Sequence, residues 1–244
     1  MRFLPVLALI LLVWQPQNDP PWTEIAGSNE LKAWKTPSGE WAAVGTVHPD
    51  PSNPKLLKGE PGTGIIYNGA KGVTTNLISK DDYGDIEMKL EFMIPSGSNA
   101  GVKLHGQYEV QIFDSYGKEK PTASDSGGVY PRAELLPKYH HIDEGFPPKV
   151  NASKPPGEWQ TLQVFFRSPR FDASGKKITS AKFDKVLLND QVVQENLEVP
   201  APTGHAYRNK EHAAGPILLQ ADHGPVAFRS VTVRPLPPRG DENR

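Results

Sequence analysis

The feature that most constrains the fold is the alternation of apolar and charged side chains over short segments. Residues 86–92 read Ile-Glu-Met-Lys-Leu-Glu-Phe, so every second side chain is apolar. Since successive side chains of an extended chain point to opposite faces, this pattern predicts a strand with one buried face. Further strand patterns occupy residues 101–105, 108–114, 160–166 and 226–233, and no long segment has helical periodicity. The chain is therefore expected to be all-β.

Turn residues divide the chain into many short strands. The 22 glycines and 25 prolines are abundant, while a hydrophobic content of 37% supports a packed core rather than disorder. Asn189-Asp190, between apolar residues 186–188 and 192–193, is typical of a two-residue hairpin turn. These features predict a single sandwich domain over residues 19–238, followed by a disordered tail at 239–244.

Two connections are longer than is usual in a compact domain. They run from Pro131 to Glu158 and from Pro200 to Gly215. Loops of this length either line a functional site or decorate the surface, and the sequence favours neither alternative.

The N-terminus resembles a secretion signal. Arg2 precedes an apolar run from Phe3 to Trp14, after which the chain becomes polar and contains Pro16. The run matches the apolar core of a signal peptide and is too short for a membrane span. We expect residues 1–18 to be a signal peptide and the protein to be exported, either periplasmic or extracellular. A buried N-terminal strand or helix is the alternative.

Composition excludes several classes of protein. The chain has no cysteine, which excludes disulfides, thiolate metal sites and cysteine nucleophiles. Its formal net charge of −1 gives no overall attraction to nucleic acid, so no nucleic-acid partner is expected. No membrane span is expected once the signal peptide is removed, and the sequence does not indicate the oligomeric state.

Strand parity predicts a polar patch on a central hairpin. If residues 101–105 and 108–114 are paired strands, their even-numbered apolar side chains face the core. Lys103, His105, Glu109 and Gln111 would then emerge together on the other face. A solvated polar surface is the common alternative for such residues.

The last part of the chain adds a second polar cluster. Ile217 and Leu219 are expected in the core, so Gln220 and Asp222 project to the opposite side, with His223 in the following turn. Asp114 lies at the end of its strand and is expected to contribute to the site from a loop.

Six short motifs occur in order along the chain. They are Asn99–Val102, Tyr108–Asp114, Ser126–Tyr130, Gly157–Trp159, Leu188–Asn189 and Gly215–Gly224 continuing to Phe228–Arg229. Together they resemble the 3-keto-disaccharide hydrolase domain family, and the resemblance covers about Trp22 to Leu236. The resemblance implies a concanavalin-like jelly-roll sandwich of two antiparallel sheets, export, and action on glycosides oxidised at C3. One departure is Ala100, where the family usually has serine, and its effect is expected on a turn rather than on the chemistry.

An ordinary retaining glycosidase is not supported by the residues. That mechanism needs two carboxylates about 5–5.5 Å apart. Glu109 is followed two positions later by the amide Gln111, and Asp114 falls on the opposite strand face.

A C3 ketone offers another route, because it acidifies the hydrogen on C2. A base removes this proton, the C1 substituent is eliminated, and water adds to the resulting enone. We expect Glu109 or His223 as the base, and Lys103, His105 or a bound divalent metal as the group that stabilises the enolate. Gln111 and Gln220 would position sugar hydroxyls, and Tyr130 or Trp159 would supply an aromatic surface.

The sequence leaves open whether the protein requires a divalent metal, and it predicts no other cofactor. His105, Glu109 and His223 are suitable ligands but match no recognised spacing. Three other groups of residues carry weaker signals, and an exposed polar loop is the simpler interpretation of each. They are His140-His141 with Asp143, His205, and His212.

Three other functions are alternatives to cleavage of a 3-keto-glycoside. A carbohydrate-binding module would use the same fold and the same aromatic and amide residues without turnover. An interaction domain would expose an apolar patch and lack a concave polar pocket. An ordinary glycanase would need the missing carboxylate pair.

Overall fold

The computed structural model describes residues 19–28, 31–35 and 39–238, and within them the chain is almost entirely strand. The predicted signal peptide and C-terminal tail lie outside the described residues. The strands are β1 Thr23–Ala26, β2 Ala42–Asp50, β3 Asn53–Tyr67, β4 Leu77–Tyr83, β5 Ile86–Met93, β6 Asn99–Leu104, β7 Tyr108–Phe113, β8 Ala133–Glu134, β9 His140–His141, β10 Gln160–Arg167, β11 Arg170–Phe171, β12 Lys177–Thr179, β13 Ala181–Leu188, β14 Gln191–Val199, β15 Gly215–Leu219 and β16 Ala227–Pro235. A single 3₁₀ turn, His205–Arg208, interrupts this pattern among the described residues.

Two antiparallel sheets form a jelly-roll sandwich, as predicted. The larger sheet has the order β14-β13-β10-β5-β16-β3-β2, with β1 paired to β16, and the smaller has the order β4-β15-β6-β7. Two ribbons, β8-β9 and β11-β12, lie within connections. The two-residue turn at Asn189-Asp190 is confirmed, and both residues have the positive φ that a type I′ turn requires.

The core lies between the inner faces of the two sheets. On the smaller sheet, Val102, Leu104, Val110 and Ile112 are fully buried, as the parity of β6 and β7 predicts. They belong to one continuous apolar cluster with Phe92 and other side chains of the larger sheet. Because these even-numbered residues point inward, the odd-numbered residues of the same hairpin point outward.

Ala100 differs from its expected place. It lies within β6 with its side chain fully buried in the core, not in a turn. A methyl group suits this position, because a buried hydroxyl would need a hydrogen-bond partner.

Two long connections fold over the outer face of the smaller sheet. The first contains the ribbon β8-β9, and the second contains the 3₁₀ turn. A main-chain bond from Ala133 N to Gly204 O, 3.0 Å long, joins the two connections. Among the described residues, no helix has the length and apolar character that crossing a bilayer requires.

Candidate functional site

A cleft of about 440 Å³ lies on the outer face of the smaller sheet, beneath the two long connections. Its volume falls within the range of sites for small molecules. It is lined by Asn76, Asn99, Lys103, Glu109, Gln111, Tyr130, Leu135, Tyr139, Gly204, His205, Gln220, Asp222 and His223. Both long connections therefore contribute to a concave site.

The floor of the cleft consists of cross-strand rows of polar side chains. In the register of β6 and β7, Lys103 pairs with Glu109, and Gly101 pairs with Gln111. Gln220 extends the second row, since its main-chain N donates to Gly101 O at 2.8 Å. The parity prediction for Lys103, Glu109 and Gln111 is confirmed in that all three line one hollow.

The ion pair of Lys103 and Glu109 is the most deeply placed charged feature of this floor. Lys103 Nζ lies 3.0 Å from Glu109 Oε2, with side-chain exposures of 15% and 4%. Two hydrogen bonds also hold the backbone of Glu109. The main-chain N of Glu109 donates to Thr203 Oγ1 at 3.0 Å, and its carbonyl oxygen accepts from Tyr130 N at 3.1 Å. The carboxylate is therefore on a rigid element, with a cation beside it and the cleft in front of it.

Gly101 makes room for this carboxylate. A Cβ at position 101 would lie 2.5 Å from Glu109 Oε1, which is too close for any real contact. The φ angle of Gly101 is not in the left-handed region, so the requirement is for space and not for backbone conformation.

Two amide oxygens in the cleft are buried and have no hydrogen-bond partner among the residues that the structure describes. They are Asn99 Oδ1 and Gln220 Oε1. Gln111 differs, because its Oε1 accepts from the main-chain N of Ile112 at 3.0 Å. Since buried polar atoms are normally paired, the two free oxygens are suited to accept bonds from a hydroxyl-rich ligand.

At the other end of the floor, Asp222 and His223 form a second acid–base pair. His223 Nδ1 donates to Asp222 Oδ1 at 2.6 Å, and each side chain is about half exposed. This bond fixes the proton on Nδ1 and leaves Nε2 to exchange a proton with a ligand. The pair is thus in reach of solvent, whereas Lys103 and Glu109 are enclosed.

The two carboxylates of the floor do not form a retaining-glycosidase pair. Glu109 is on β7 and Asp222 follows β15, with β6 between them. Two strand spacings place their backbones about 10 Å apart across the sheet. Asp222 is also displaced along the strands toward Asn99, because Leu219 is opposite Val102. The structure therefore supports the expectation that a paired-acid mechanism is not built here.

An aromatic group forms one wall of the cleft. The Tyr130 hydroxyl lies 2.9 Å from that of Tyr139 and 3.1 Å from His141 Nε2. Both tyrosine rings meet the His141 ring edge to face. Burial, followed by the hydrogen bond with Tyr139, raises the pKa of Tyr130, so this phenol stays protonated. Tyr130 is in the cleft as predicted, but it presents a hydrogen-bonded hydroxyl as well as an aromatic surface.

His105 is not part of the patch, and this expectation was wrong. Its φ of 55° ends the regular alternation of β6, so the side chain turns to the core side. There its ring packs 5.0 Å from that of Phe166, and its Nε2 lies 3.2 Å from Ser168 Oγ. Gly215 allows this position, since a Cβ there would lie 2.9 Å from His105 Cβ.

Two further predicted residues lie outside the cleft. Trp159 stacks on the guanidinium of Arg229, 4.1 Å from ring centre to Cζ, and packs on the apolar cluster of the larger sheet that includes Met93. Asp114 accepts from Gly97 N at 2.8 Å and so fastens the turn before β6. A motif position alone did not reveal that these side chains have structural contacts.

The predicted metal ligands do not converge. His105 is on the core side of the sheet, Glu109 is paired with Lys103, and His223 is paired with Asp222. Among the residues that the structure describes, no three His, Asp or Glu side chains are grouped to hold a metal ion. The residues present therefore do not fit the divalent metal that the sequence offered as one group to stabilise the enolate.

The other histidine clusters have different neighbours. Asp143 accepts from Arg132 Nε at 2.6 Å, and although burial opposes it, this contact holds the pKa of Asp143 below its usual range. His140 Nδ1 donates to Lys138 O at 2.9 Å. His205 lines the cleft, and His212 does not.

Several lining residues were missed from the sequence. Asn99 could have been found from strand parity. When the alternation of this strand is continued two residues before Gly101, Asn99 falls on the same face as Lys103. Asn76, Leu135 and Tyr139 gave no such signal, since they reach the cleft from a strand end and a long connection.

Comparison with known proteins agrees with this architecture. A family model described as the 3-keto-alpha-glucoside-1,2-lyase-like domain matches residues 21–234. No curated protein sequence matches the chain. Crystal structures of three proteins from Parabacteroides distasonis ATCC 8503, provisionally assigned as glycosyl hydrolases, share the fold.

The first has a TM-score of 0.65 at 22% identity, covering 88% of this chain and 84% of the other. The second has a TM-score of 0.58 at 19% identity, covering 88% and 100%. The third has a TM-score of 0.58 at 14% identity, covering 88% and 94%. At these identities the likeness concerns the fold alone. The family match spans nearly all of the described residues, and the chain therefore belongs to the 3-keto-alpha-glucoside-1,2-lyase-like domain family.

Proposed function

We propose that this protein cleaves glycosides carrying a ketone at C3, by removal of the C2 proton and elimination of the C1 substituent. The observation that carries the proposal is the enclosed pair of Lys103 and Glu109, with charged atoms 3.0 Å apart. In a 3-keto sugar the acidic C2–H and the C3 oxygen are on neighbouring carbons. A base and a cation side by side match that arrangement.

The first step transfers a proton from C2 to Glu109. The electrons of the C2–H bond form a C2=C3 double bond, and negative charge moves to the C3 oxygen. Lys103 neutralises the carboxylate before this step and the enolate oxygen after it. The charge next to the ammonium is therefore preserved, and the site needs little reorganisation.

The second step expels the C1 substituent. The C3=O bond re-forms, a C1=C2 double bond is made, and the bond from C1 to its oxygen breaks. The leaving oxygen takes a proton, for which we assign Nε2 of His223, oriented by the bond between Nδ1 and Asp222. Addition of water across C1=C2 completes net hydrolysis, whereas release of the enone gives a lyase.

The remaining polar groups hold the sugar. Asn99 Oδ1 and Gln220 Oε1 are buried acceptors to which no residue of the described ranges donates, and Gln111 lies in the same row of the floor as Gln220. They account for binding of sugar hydroxyls and would serve a carbohydrate-binding module equally well. The enclosed acid–base pair favours the enzyme, because binding alone does not require a carboxylate held against an ammonium.

The test is product analysis with purified protein. We expect cleavage of a 3-keto-glucoside and none of the same glucoside with a C3 hydroxyl. Glu109→Gln should reduce kcat by about 10²–10⁴-fold. Cleavage of both substrates at equal rates would refute the role of the ketone. Binding of unmodified glycans without any product would identify a binding module instead.

We also propose that the protein is exported, with residues 1–18 removed. The support is the charged start followed by the apolar run from Phe3 to Trp14. Cell fractionation and N-terminal sequencing of the mature protein test this. A cytoplasmic protein with an intact N-terminus would refute it.

A further inference from the structure

A second hollow lies on the outer face of the larger sheet, on the opposite side of the sandwich from the cleft. Its volume is about 270 Å³, and it shares no lining residue with the cleft. Its face of the sheet follows from β5, whose Met88, Leu90 and Phe92 are buried in the core, so that the side chains between them point outward. Polar residues that line the hollow include Lys89, Glu91, Thr161, Gln163, Ser230 and Thr232.

An irregularity in β16 borders this hollow. The pairing of β16 with β5 shifts between Arg229 and Thr232, and Ser230 in this bulge has a φ of 53°. Such a conformation is uncommon for a residue other than glycine, and bulges change the direction of side chains next to binding sites. Asp190, in the turn after β13, has a φ of 64° and also lines the hollow. Ser230 and Asp190 therefore border it from either side of β5 and β10.

Two contacts between a tryptophan and a cation fix the charged side chains of the hollow. Lys89 Nζ lies 4.8 Å from the centre of the Trp22 ring. Glu91 Oε2 accepts from both Nε and Nη2 of Arg229, at 2.8 and 2.6 Å, and this guanidinium stacks on Trp159. Since Lys89 and Glu91 are already held in place, little conformational entropy is lost when they bind a ligand.

The hollow combines donors and acceptors without net charge. Two cations, Lys89 and Arg229, balance two carboxylates, Glu91 and Asp190. Because Arg229 bonds only to Oε2 of Glu91, the other oxygen of this carboxylate can accept from a ligand. The ammonium of Lys89 lies 3.8 Å from Glu87 Oε1, too far for a hydrogen bond, so it can donate to a ligand. A hydroxyl both donates and accepts, and the hollow therefore suits a neutral, hydroxyl-rich ligand better than an ion.

Three segments that carry the family resemblance lie beside this hollow and not in the cleft. They are Gly157–Trp159, Leu188–Asn189 and Phe228–Arg229. Asn189 Oδ1 accepts from the main-chain N of Thr161 at 2.9 Å, which joins the turn after β13 to the floor of the hollow. The reaction proposed for the cleft uses none of these segments.

We propose that this hollow is a second carbohydrate-binding site, which holds one neutral sugar residue of a glycan on the sheet opposite the cleft. Its volume of about 270 Å³ is just below the range for drug-sized ligands and suits a single sugar ring. The site requires no ketone in its ligand, so the inference does not depend on the proposed function. Because the two sites are on opposite faces, both can be occupied at once.

An NMR titration of the ¹⁵N-labelled protein locates the binding. The probes are maltotetraose, cellotetraose, xylotetraose and mannotetraose, none of which has a ketone. At least one of them should shift the main-chain amides of Lys89, Glu91 and Ser230 and the indole N–H groups of Trp22 and Trp159. Shifts confined to the cleft, or no shifts with any of the four probes, would overturn the proposal.

The variant Asp190→Gly with Ser230→Gly tests the lining without disturbing the backbone. Both residues have a positive φ, which glycine adopts readily. Loss of two hydrogen-bonding side chains should raise the Kd of the bound tetrasaccharide about five- to fiftyfold. Asn196→Gly is the matched control, because Asn196 is exposed, has a φ of 53° and lines neither hollow. It should leave the Kd unchanged.

A variant of the cleft distinguishes the two sites. Gln220→Ala changes the floor of the cleft and should leave the Kd of the second site as it is in the native protein. If Gln220→Ala raises the Kd and the double glycine variant does not, the sugar binds in the cleft and the second site is refuted. An equal rise in the double variant and in Asn196→Gly would also refute it.

Discussion

Lys103 and Glu109 are direct cross-strand partners, and their charged atoms lie 3.0 Å apart on the floor of the cleft. Glu109 is only 4% exposed, so the ammonium of Lys103 takes the place of most of the water around this carboxylate. Lys103→Met leaves this carboxylate without its cation, which should lower the free energy of unfolding by about 1–3 kcal/mol. Urea denaturation measures this change.

The double variant Lys103→Met with Glu109→Gln is the control for this prediction. It removes both charges, so it should be more stable than Lys103→Met alone. Equal stability of the single and double variants would show that the two charges are not coupled.

Gly101→Ala should displace the carboxylate without disturbing the strand. The new Cβ would lie 2.5 Å from Glu109 Oε1, and the flexible side chain of Glu109 would have to move. We expect a fall in kcat/KM of about 10–100-fold, because small displacements of a reacting group are costly. Gly84→Ala is the matched control, since its nearest neighbour would be at 3.7 Å. Similar kinetics for the two variants would argue against a required position of Glu109.

The burial of His105 should make stability depend on pH. Burial lowers the pKa of His105 from its ordinary value of 6.5, so the unfolded chain binds the proton more readily than the folded one. The stabilising effect is complete above pH 6.5 and is lost as pH falls toward the lowered pKa. Nearby Asp82 opposes the shift but does not reverse it.

Thermal unfolding between pH 7.5 and 5 tests this prediction. Between pH 7.5 and 5 the Tm of the native protein should fall further than the Tm of the His105→Asn variant. Asparagine is chosen because it tolerates the positive φ of 55° at this position. Parallel curves for the two proteins would assign the acid sensitivity to other groups.

Asp222→Asn should affect the leaving-group step. The change removes the acceptor that orients His223, but the pair is about half exposed, so we expect only a three- to tenfold loss of kcat. The loss should be larger for alkyl than for phenyl 3-keto-glucosides, because a phenolate leaves without prior protonation. The same loss for both leaving groups would contradict protonation by His223.

The sequence predicted the sandwich and much of the cleft because both depend on strand parity. Lys103, Glu109 and Gln111 follow from the apolar partners between them, and Gln220 follows from Ile217 and Leu219. The prediction failed at His105, where one residue with positive φ reverses the direction of the side chain. Alternation holds only while the backbone remains extended.

The walls of the cleft could not be predicted in the same way. Leu135 and Tyr139 come from a long connection whose position depends on bonds to distant residues, such as that between Glu134 and Tyr207. Trp159 was misplaced because its motif gave no information about which sheet it covers, and it packs on Arg229 of the larger sheet.

The most direct test of the central claim is the fate of the C2 hydrogen. A 3-keto-glucoside is cleaved in D₂O, and the sugar product is analysed by NMR and mass spectrometry. Removal of the C2 proton followed by hydration predicts deuterium at C2 at early reaction times, beyond that found when the product alone is incubated without protein. A product that keeps its original C2 hydrogen would contradict proton abstraction and show that the C1 bond is broken directly.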